Sequence, residues 1–486
     1  MATAEKASRP RILMLTNNAP RAVGGGSTVR TYHLARALAD YGELSLAVVS
    51  SAEEDPVAAD IQAACRRVIR PTHIPESSAP GECGRSRVQE WRAALAVIAM
   101  PWRDEWSGLL RYAQGLCGDA PAGGTDAPPP ASRRALAMVL RWELSVAARI
   151  GRPLPIVGFC HRQAFQGMLP GLQSLLAEQA FDVIWFEHSF TFPFVETLLQ
   201  ERQRPALVCN THNIECHLAE RFERLPASGR PTSWWRTQSR ILKRLEARAF
   251  GSADLVLACS EEDKQLALAI APTGNVSVVA NGVDAAYFHS SADRVPALVP
   301  TLLFTGVFTY GPNVDAVRYF IGDIFPLIKH RIPECRFVFA GRDAQSTFDV
   351  LNVRDDSIVC VSDSEDMRPE FERAWVVVVP LRAGGGTRLK ILEAMAMSCA
   401  VVSTTVGAEG VPYVNGEHLL LADTPRQFAD AVVRLLADPD RRQQLGTRAA
   451  KWVRQRYDWS RLGALAVEAV RQLSRLPATS EGDHAA

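Results

Sequence analysis

The sequence predicts an α/β protein made of two parallel-sheet domains that face each other across a cleft. The chain has 486 residues, and single hydrophobic cores stop growing at roughly 250–300 residues, so two domains are expected. Short runs rich in Val, Ile and Leu alternate with helical patterns, and this alternation stops and restarts near residues 288–300. Such runs are typical of parallel strands that helices cover on both faces, where ligands bind at the carboxyl ends of the strands.

The first predicted domain, residues 1–290, opens with a strand, a loop, a helix and a second strand. The apolar run 11–15 is followed by three glycines, a helical pattern that ends at Gly42, and the apolar run 44–50. Further strands are predicted at 183–186, 206–210, 253–259 and 276–280. An insertion at about 75–180 interrupts this order, and its Pro/Gly/Ala-rich segment 118–133 predicts a loop or local disorder.

The second predicted domain covers residues 291–465, and residues 466–486 are predicted to form a C-terminal tail. Its predicted strands are 301–306, 336–341, 357–361, 375–380 and 400–404. Helical patterns alternate with these strands. The two halves therefore share an order of elements, and no sequence repeat relates them.

Composition excludes several classes of protein. The formal net charge is +1, so no overall field favours nucleic acid. The ten cysteines form no C-x-x-C pair, which indicates neither a zinc site nor a disulfide framework. The first residues lack the apolar region of a signal peptide, and no run approaches the roughly 20 apolar residues of a membrane-spanning helix. We expect a cytoplasmic protein, with peripheral contact to the cytoplasmic membrane face as a further hypothesis.

The stretch G-G-G-T-R-L-K-I-L-E at 384–393 joins a predicted strand to a predicted helix. Backbone N–H groups at a helix N-terminus attract anions, and glycines let an anion come close. Arg388 and Lys390 add positive charge. A P-loop is excluded because the G-x-x-x-x-G-K-[ST] pattern is absent. The alternative is a tight turn in which Lys390 and Glu393 form a solvated ion pair.

This stretch and its continuation to residue 411 resemble the donor-binding motif of retaining glycosyltransferases of family four, also called glycosyl transferases group 1, in the subgroup that carries GGGTRLKxLEAMAM. Other stretches are similar to the same family: the first glycine loop, T-H-N-I-E (211–215), A-D-L-V-L-A-C-S-E-E-D (253–263), N-G-V-D (281–284) and T-G-V-F-T-Y-G-P-N-V-D-A-V (305–317). The resemblance implies the GT-B fold, in which two Rossmann-like domains face each other across a cleft. It also implies transfer of a sugar from a nucleoside diphosphate sugar with retention of configuration.

By this resemblance, the family's Glu-x7-Glu motif ends at Glu393, whose carboxylate would accept hydrogen bonds from the nucleotide ribose. The first acid of the motif falls on Gly385, so this chain departs from the family there. The family's first acid lies near the hydroxyls of the donor sugar. The backbone amides of Gly385, Gly386 and Thr387 are candidates for part of that role.

The family's cations after the first strand of the second domain are also absent, because that place reads T-G-V-F-T-Y-G-P-N (305–313). Arg388 and Lys390 are therefore the candidates for neutralising the diphosphate. They would stabilise the leaving group electrostatically, which makes them the predicted catalytic cations.

Glu187 and His188 follow a predicted strand and are expected to face the cleft. The family has a histidine beside the donor sugar at this place, and the retaining reaction in this fold has no established protein nucleophile. His188 would therefore orient or stabilise, and Glu187 competes for the role because the register is uncertain by one residue. The alternative is an ordinary polar strand terminus.

Two further loops are expected at the rim of the cleft. In the first glycine loop, Gly25 and Gly26 would let donor phosphates or the acceptor approach the backbone, and Arg30 would assist. The alternative there is a simple loop. His212, Asn213 and Glu215 follow the next strand and are predicted to make acceptor-side or interdomain contacts, the alternative being a capped loop. Asn281 and Gly282 are predicted to form a turn at the domain junction.

A basic helix is predicted at about 234–250, where arginines recur every four residues after two tryptophans. The arginines are Arg236, Arg240, Arg244 and Arg248. Such a stripe can dock on an anionic membrane that carries a polyprenyl-linked acceptor. The alternative is a solvated helix face with Glu246 as a local partner.

These observations predict a hexosyltransferase-like enzyme that uses a nucleotide sugar as co-substrate and a glycan or lipid-linked acceptor. Exopolysaccharide or cell-envelope glycan biosynthesis is the setting that the family implies. No metal is expected, because the D-x-D match at 438–440 is typical of a turn. Two alternatives remain open: a nucleotide-sugar epimerase on the same fold, and a catalytically degenerate transferase that acts as an assembly scaffold.

Overall fold

The computed structural model describes residues 9–50, 55–71, 159–199, 204–224, 232–290 and 295–473. Within these ranges the side chains of residues 159–166, 233 and 234 are not described. The predicted loop at 118–133 and most of the predicted insertion lie outside the described residues.

Seven parallel strands form the first sheet. They are β1 (Arg11–Thr16), β2 (Glu43–Val48), β3 (Arg67–Ile69), β4 (Val183–Glu187), β5 (Ala206–Asn210), β6 (Leu255–Ala258) and β7 (Val276–Val278). Their order across the sheet is β3-β2-β1-β4-β5-β6-β7. Consecutive parallel strands need crossover connections, and helices supply most of them. The sequence patterns predicted every strand of this sheet except the short β3.

Six parallel strands form the second sheet. They are β8 (Thr301–Thr305), β9 (Arg336–Gly341), β10 (Ile358–Ser362), β11 (Val376–Val379), β12 (Ala400–Ser403) and β13 (Leu420–Leu421). Their order is β10-β9-β8-β11-β12-β13. The two-residue strand β13 is too short to leave a periodic pattern in the sequence, and it was not predicted.

Helices connect the strands of both sheets. In the first half they are α1 (Gly26–Tyr41), α2 (Ala59–Ala64), α3 (Phe159–Glu178), α4 (Phe192–Leu198), α5 (Glu215–Glu223), α6 (Thr232–Ser252) and α7 (Glu261–Ile270). In the second half they are α8 (Gly311–Tyr319), α9 (Phe325–Lys329), α10 (Ala344–Leu351), α11 (Arg368–Arg373), α12 (Leu389–Ala396), α13 (Pro425–Ala437), α14 (Pro439–Arg456) and α15 (Trp459–Leu473). No helix within the described ranges has the length and apolarity that crossing a membrane requires.

Helices on both faces explain why the strands are apolar without alternation. Side chains of a strand point alternately to opposite faces of its sheet. In β1, Leu13 and Leu15 belong to the core on one face, and Ile12 and Met14 belong to the core on the other. Both faces are therefore buried, and every position of the strand favours an apolar residue.

The last helix, α15, leaves the second half of the chain and packs against α1 of the first. A Cβ atom on Gly463 would lie 2.8 Å from the Cβ of Ala37, so the two helices approach closely at this glycine. A β-bridge between Val283 and Asp458 joins the same two regions. The predicted tail boundary at residue 466 therefore falls inside this helix, and the predicted domain limits stay a prediction.

Candidate active site

A cavity of about 760 Å³ lies where the carboxyl ends of the two parallel sheets meet. From the first sheet it is lined by the loops after β1, β4, β5 and β7, and from the second by the loops after β8, β9, β10 and β11. This is the edge at which open α/β sheets bind ligands. The cleft that the sequence predicted is therefore formed by the expected loops.

The glycine loop 384–386 follows β11 and leads to α12. Gly384 and Gly386 have φ values of 141° and 64°, a region that side-chain-bearing residues rarely adopt. Arg388 is 7% exposed and donates to the carbonyl oxygens of Gly385 and, at 2.9 Å, Gly386. Its guanidinium lies in the cavity wall and is occupied by the backbone of its own loop. Burial lowers the pKa of this arginine, yet a guanidinium stays charged at neutral pH.

Lys390 stands one residue inside α12 and lines the cavity. Its Nζ donates to Oδ1 of Asn313 at 2.7 Å and lies 4.1 Å from the centre of the Phe304 ring. Burial, and then the nearby Arg388, lower the pKa of Lys390 to about 7. A nearby anion would restore the charged form.

Glu393 lies one turn further along α12 and also lines the cavity. Burial raises the pKa of this carboxyl to about 7, although Lys390 acts in the opposite direction. The alternative of a solvated Lys390–Glu393 ion pair is wrong, because Lys390 bonds to Asn313 instead. The carboxyl is therefore open to a ligand from the cavity.

Gly385, Gly386 and Thr387 contact the first domain. A Cβ on Gly385 would lie 2.7 Å from Oδ1 of Asn213, and a Cβ on Gly386 would lie 2.5 Å from the carbonyl oxygen of His212. The hydroxyl of Thr387 donates to the carbonyl oxygen of Cys259 at 3.2 Å. This loop therefore packs directly on the first domain.

Glu187 is the last residue of β4 and is 1% exposed. Its carboxylate accepts from Trp185 Nε1 at 2.6 Å and Asn210 Nδ2 at 2.8 Å, and lies 2.5 Å from His212 Nε2. Burial alone would raise the pKa of Glu187, but the hydrogen bonds from His212 and Trp185 and the nearby histidine rings together outweigh burial, and the pKa falls. The competing assignment of Glu187 as a cleft residue is wrong, because the cavity lining includes His188 and not Glu187.

His188 faces the cavity from a strained backbone. Its φ of 63° is unusual for a residue other than glycine, and such strain is concentrated at functional sites. Its ring stacks on His212 with centroids 4.1 Å apart, and its Nδ1 lies 3.4 Å from the Glu215 carboxylate. Burial lowers the pKa of His212 to about 4, so His212 is neutral and donates Nε2–H to Glu187. His188 is therefore held from two sides.

Two family models match the chain. Residues 299–438 match the model described as glycosyl transferases group 1, and residues 124–287 match the one described as glycosyltransferase family 4. Together the matched stretches cover more than half of the chain. Both models describe glycosyltransferases, and the chain is a glycosyltransferase.

Solved structures resemble this glycosyltransferase over nearly its whole length. A sucrose-phosphate synthase from Thermosynechococcus elongatus is 16% identical, with a TM-score of 0.61 and coverage of 96% of this chain and 99% of that chain. HepE from Anabaena, solved in complex with UDP-glucose, is 12% identical, with a TM-score of 0.57 and coverage of 95% and 100%. A glycosyltransferase from Rickettsia africae is 11% identical, with a TM-score of 0.57 and coverage of 96% and 100%. The predicted GT-B fold is confirmed.

A curated relative matches a shorter part of this glycosyltransferase. It is an uncharacterized 44.6 kDa protein in the cps region of Klebsiella pneumoniae, 20% identical over 164 residues. The match covers 32% of this chain and 42% of the relative. The chain thus spans less than half the length of that relative.

The sequence suggested that Arg30 assists at the cavity, but the structure places it in the interior. It is fully buried, and its guanidinium donates to Asn210 Oδ1 at 2.7 Å, the Val279 carbonyl at 2.7 Å and Asn281 Oδ1 at 3.1 Å. Asn281, predicted only as a turn residue, is therefore part of this buried network. The neighbouring Gly25 and Gly26 do line the cavity.

Glu246 caps α5 and is not a partner of the arginine stripe. It is fully buried and accepts from the backbone N–H groups of Glu215 at 2.6 Å and Cys216 at 3.1 Å. A carboxylate at a helix N-terminus satisfies unpaired donors and interacts favourably with the helix dipole. It holds Glu215 beside His188, so the predicted rim residue Glu215 contacts a site residue within its own domain.

The basic helix α6 turns its apolar side toward the core. Ile241 and Leu245 are buried, and the half-buried Trp235 ring lies 4.9 Å from the Phe222 ring. Arg236 pairs with Glu223 at 2.7 Å, and Arg248 pairs with Glu196 at 2.5 Å. Among the described side chains of α6 no apolar face is left exposed, and a membrane contact stays a prediction.

Sequence reasoning missed two residues that shape the cavity. Asn313, which anchors Lys390, lies inside the matched stretch 305–317, and its place after Gly-Pro at a helix start was the available signal. Arg221 of α5 donates to the Gly384 carbonyl at 2.7 Å and pairs with Glu409, so it bridges the two domains. Arg221 carried no signal, because an arginine in a polar helix is ordinary.

Proposed function

We propose that this glycosyltransferase moves a sugar from a nucleoside diphosphate sugar to a glycan or lipid-linked acceptor, with retention of configuration. The observation that supports it most is the composition of the cavity. Lys390, Glu393 and a glycine loop at a helix N-terminus come from the second domain, and His188 comes from the first. A cation, an acid and the backbone of a glycine loop suit a diphosphate and a ribose.

Lys390 is the proposed partner of the diphosphate. Burial disfavours its charge and lowers its pKa, so a diphosphate would gain a charge-assisted partner in a site of low polarity. The N-terminus of the eight-residue helix α12 points toward the same region and adds its dipole. Arg388 shapes the loop that presents these groups.

In the proposed reaction the bond between the anomeric carbon and the diphosphate oxygen breaks, and a bond to the acceptor oxygen forms on the same face. The acceptor proton passes to an oxygen of the departing diphosphate. The protein supplies electrostatic stabilisation of the leaving group through Lys390 and α12. His188 orients the donor sugar, and no protein nucleophile and no metal ion are proposed.

The similar proteins support the donor class and the biological setting. HepE was solved with UDP-glucose, and the Klebsiella relative is a protein in a cps region. They agree with a nucleotide sugar donor and with assembly of exopolysaccharide or cell-envelope glycan. A cytoplasmic enzyme with access to a lipid-linked acceptor fits this role.

The scaffold alternative lost its main motivation. It was based on Gly385 standing where the family has an acid, and the structure gives Gly385 a packing reason in Asn213. Lys390, Glu393 and His188 are all present around one cavity. A protein that no longer bound nucleotide would have little need for this set.

Isothermal titration calorimetry with UDP, GDP, ADP and dTDP tests the proposal directly. We expect one of these nucleoside diphosphates to bind, and its sugar conjugate to be turned over when an acceptor extract is added. Absence of binding by all four would refute the transferase proposal.

A further inference from the structure

Asn213 fills the space in which a side chain at position 385 would stand. A Cβ on Gly385 would lie 2.7 Å from Asn213 Oδ1, 3.3 Å from Asn213 Cγ and 3.3 Å from Cδ1 of Leu218. Non-bonded carbon and oxygen atoms do not approach to 2.7 Å without displacement, because interiors are close-packed. No side chain can therefore occupy position 385 while Asn213 keeps its place.

The next glycine makes room for the same asparagine. A Cβ on Gly386 would lie 3.0 Å from Asn213 Oδ1 and 2.5 Å from the His212 carbonyl oxygen, and its φ is 64°. By contrast, a Cβ on Gly25, in the other glycine loop of the cavity, would meet no atom within 4 Å. Gly385 and Gly386 therefore both make room for Asn213.

The amide of Asn213 is available to a ligand. Asn213 is half-buried and lines the cavity together with His188, Lys390 and Glu393. Its side chain forms no hydrogen bond with any residue in the described part of the chain. A side-chain amide carries two donors and one acceptor, so an asparagine at a cavity wall without a protein partner can both donate to and accept from a ligand.

We infer that Asn213 is a specificity-determining residue that contacts the donor sugar, in place of an acid at position 385. This inference rests on the proposed function. The contact is supplied by the first domain instead of the second, and it is a neutral amide instead of a carboxylate. A carboxylate only accepts hydrogen bonds and repels anions, whereas an amide also donates. The site therefore suits a sugar that presents an acceptor group, such as an N-acyl carbonyl or a carboxylate, beside its hydroxyls.

The test compares binding of a nucleotide with binding of its sugar conjugates in the same variant. Wild-type full-length protein and Asn213→Ala are titrated with UDP, UDP-glucose, UDP-N-acetylglucosamine and UDP-glucuronate, and with GDP and GDP-mannose. We expect Asn213→Ala to bind the sugar nucleotide about tenfold more weakly, which corresponds to one hydrogen bond. Binding of the matching nucleoside diphosphate should change less than twofold.

Failure of the inference is distinguishable from failure of the proposed function. If wild type binds none of UDP, GDP, ADP and dTDP, the proposed function fails. If wild type binds a nucleotide and its sugar conjugate and Asn213→Ala changes both equally, or changes neither, Asn213 does not contact the sugar. If Asn213→Ala fails to fold, Asn213→Leu replaces it, because leucine keeps a similar shape beside Gly385 and lacks the amide. The same selective loss of affinity for the sugar nucleotide is then expected.

A second variant approaches the contact from the other domain. Gly385→Ala should push Asn213 aside and produce the same selective loss for the sugar nucleotide. Combined with Asn213→Ala it should add little, because the two changes remove one interaction. Gly322→Ala is the matched control, since a Cβ there meets no atom within 4 Å and the site is outside the cavity. Equal losses for nucleotide and sugar nucleotide in Gly385→Ala would overturn the inference.

Discussion

Lys390 is tied to Asn313 by a 2.7 Å hydrogen bond from its Nζ to the asparagine Oδ1. This bond joins the start of α12 to the start of α8, so the cation is aimed across the carboxyl ends of two neighbouring strands, β8 and β11. The family's cations after β8 are absent from this sequence. An asparagine at that place instead positions a lysine from the first turn of α12.

Replacing Lys390 tests its role as partner of the diphosphate. Lys390→Met keeps most of the side-chain volume and removes the charge, so turnover should fall by about 100-fold through loss of electrostatic stabilisation. Steady-state kinetics with the identified donor measures this. Lys451→Met, at an exposed position of α14, is the matched control and should retain wild-type kinetics. A Lys390→Met enzyme with wild-type turnover would contradict the proposed role.

Diphosphate binding should be linked to proton uptake by Lys390. Burial lowers the pKa of this lysine to about 7 in the free protein, so it is largely neutral at pH 8 and charged at pH 6. A bound dianion raises the pKa again, so binding at pH 8 takes up a proton, and affinity should fall as the pH rises above about 7.

Calorimetry at pH 8 in buffers of different ionisation enthalpy measures this uptake. Glu393 also has a pKa raised to about 7 and would release a proton if its ionised form binds the ribose. The measurement is therefore made in Glu393→Gln and in the double variant with Lys390→Met. If proton uptake persists in the double variant, a group other than Lys390 or Glu393 takes up the proton.

Substitution of Glu187 should mainly lower stability, whereas substitution of His188 should mainly lower turnover. Glu187→Ala leaves three buried donors without their acceptor, on Trp185, Asn210 and His212. The free energy of unfolding should fall by about 3 kcal/mol. His188→Ala should change stability by no more than about 1 kcal/mol, because its ring makes only stacking contacts and a long 3.4 Å contact with Glu215, and alanine keeps the φ of this position. Its turnover should nevertheless fall at least tenfold.

Urea unfolding monitored by tryptophan fluorescence, together with kinetics, checks the pair. The reverse outcome, with His188→Ala unstable and Glu187→Ala stable but inactive, would show that the two roles are exchanged. Glu187→Gln is a useful intermediate, since its side-chain oxygen can still accept while its charge is absent.

Glu246 should make stability depend on pH. Burial raises its pKa from 4.5 to about 7, so the native protein holds a proton that the unfolded chain releases between these values. The stabilisation from this group is complete below pH 4.5 and is lost as the pH rises through about 7. Glu246→Gln lacks this dependence.

The difference in unfolding free energy between Glu246→Gln and wild type should therefore move in favour of the variant by about 2 kcal/mol from pH 5 to pH 8. Denaturation at a series of pH values measures it. Glu223→Gln, on the neighbouring helix α5, removes a carboxylate from the surface ion pair with Arg236 and is the control. A constant difference across the range would show that Glu246 does not titrate there.

The sequence by itself determined the order of strands and helices and the position of the glycine loop before α12. Val376–Val379 and Arg11–Thr16 are strands that hydrophobic pattern and neighbouring turn residues predict locally, and the resemblance to group 1 glycosyltransferases named the fold. Local patterns succeed here because burial on both sheet faces demands apolar residues at every position of a strand.

Only the tertiary structure decided which polar residues face the cavity. Glu187 and His188 are adjacent at the end of β4, and the strand pattern does not tell which side chain faces the cavity. In the structure it is His188, whose backbone has a φ of 63°. The sequence predicts Arg30 at the cleft and Glu246 on a solvated helix face, but hydrogen-bond partners from distant strands and helices hold both residues in the interior. The contact of Asn213 with Gly385 joins residues of two domains. Such contacts depend on how separately patterned elements pack against each other, which no local stretch of sequence encodes.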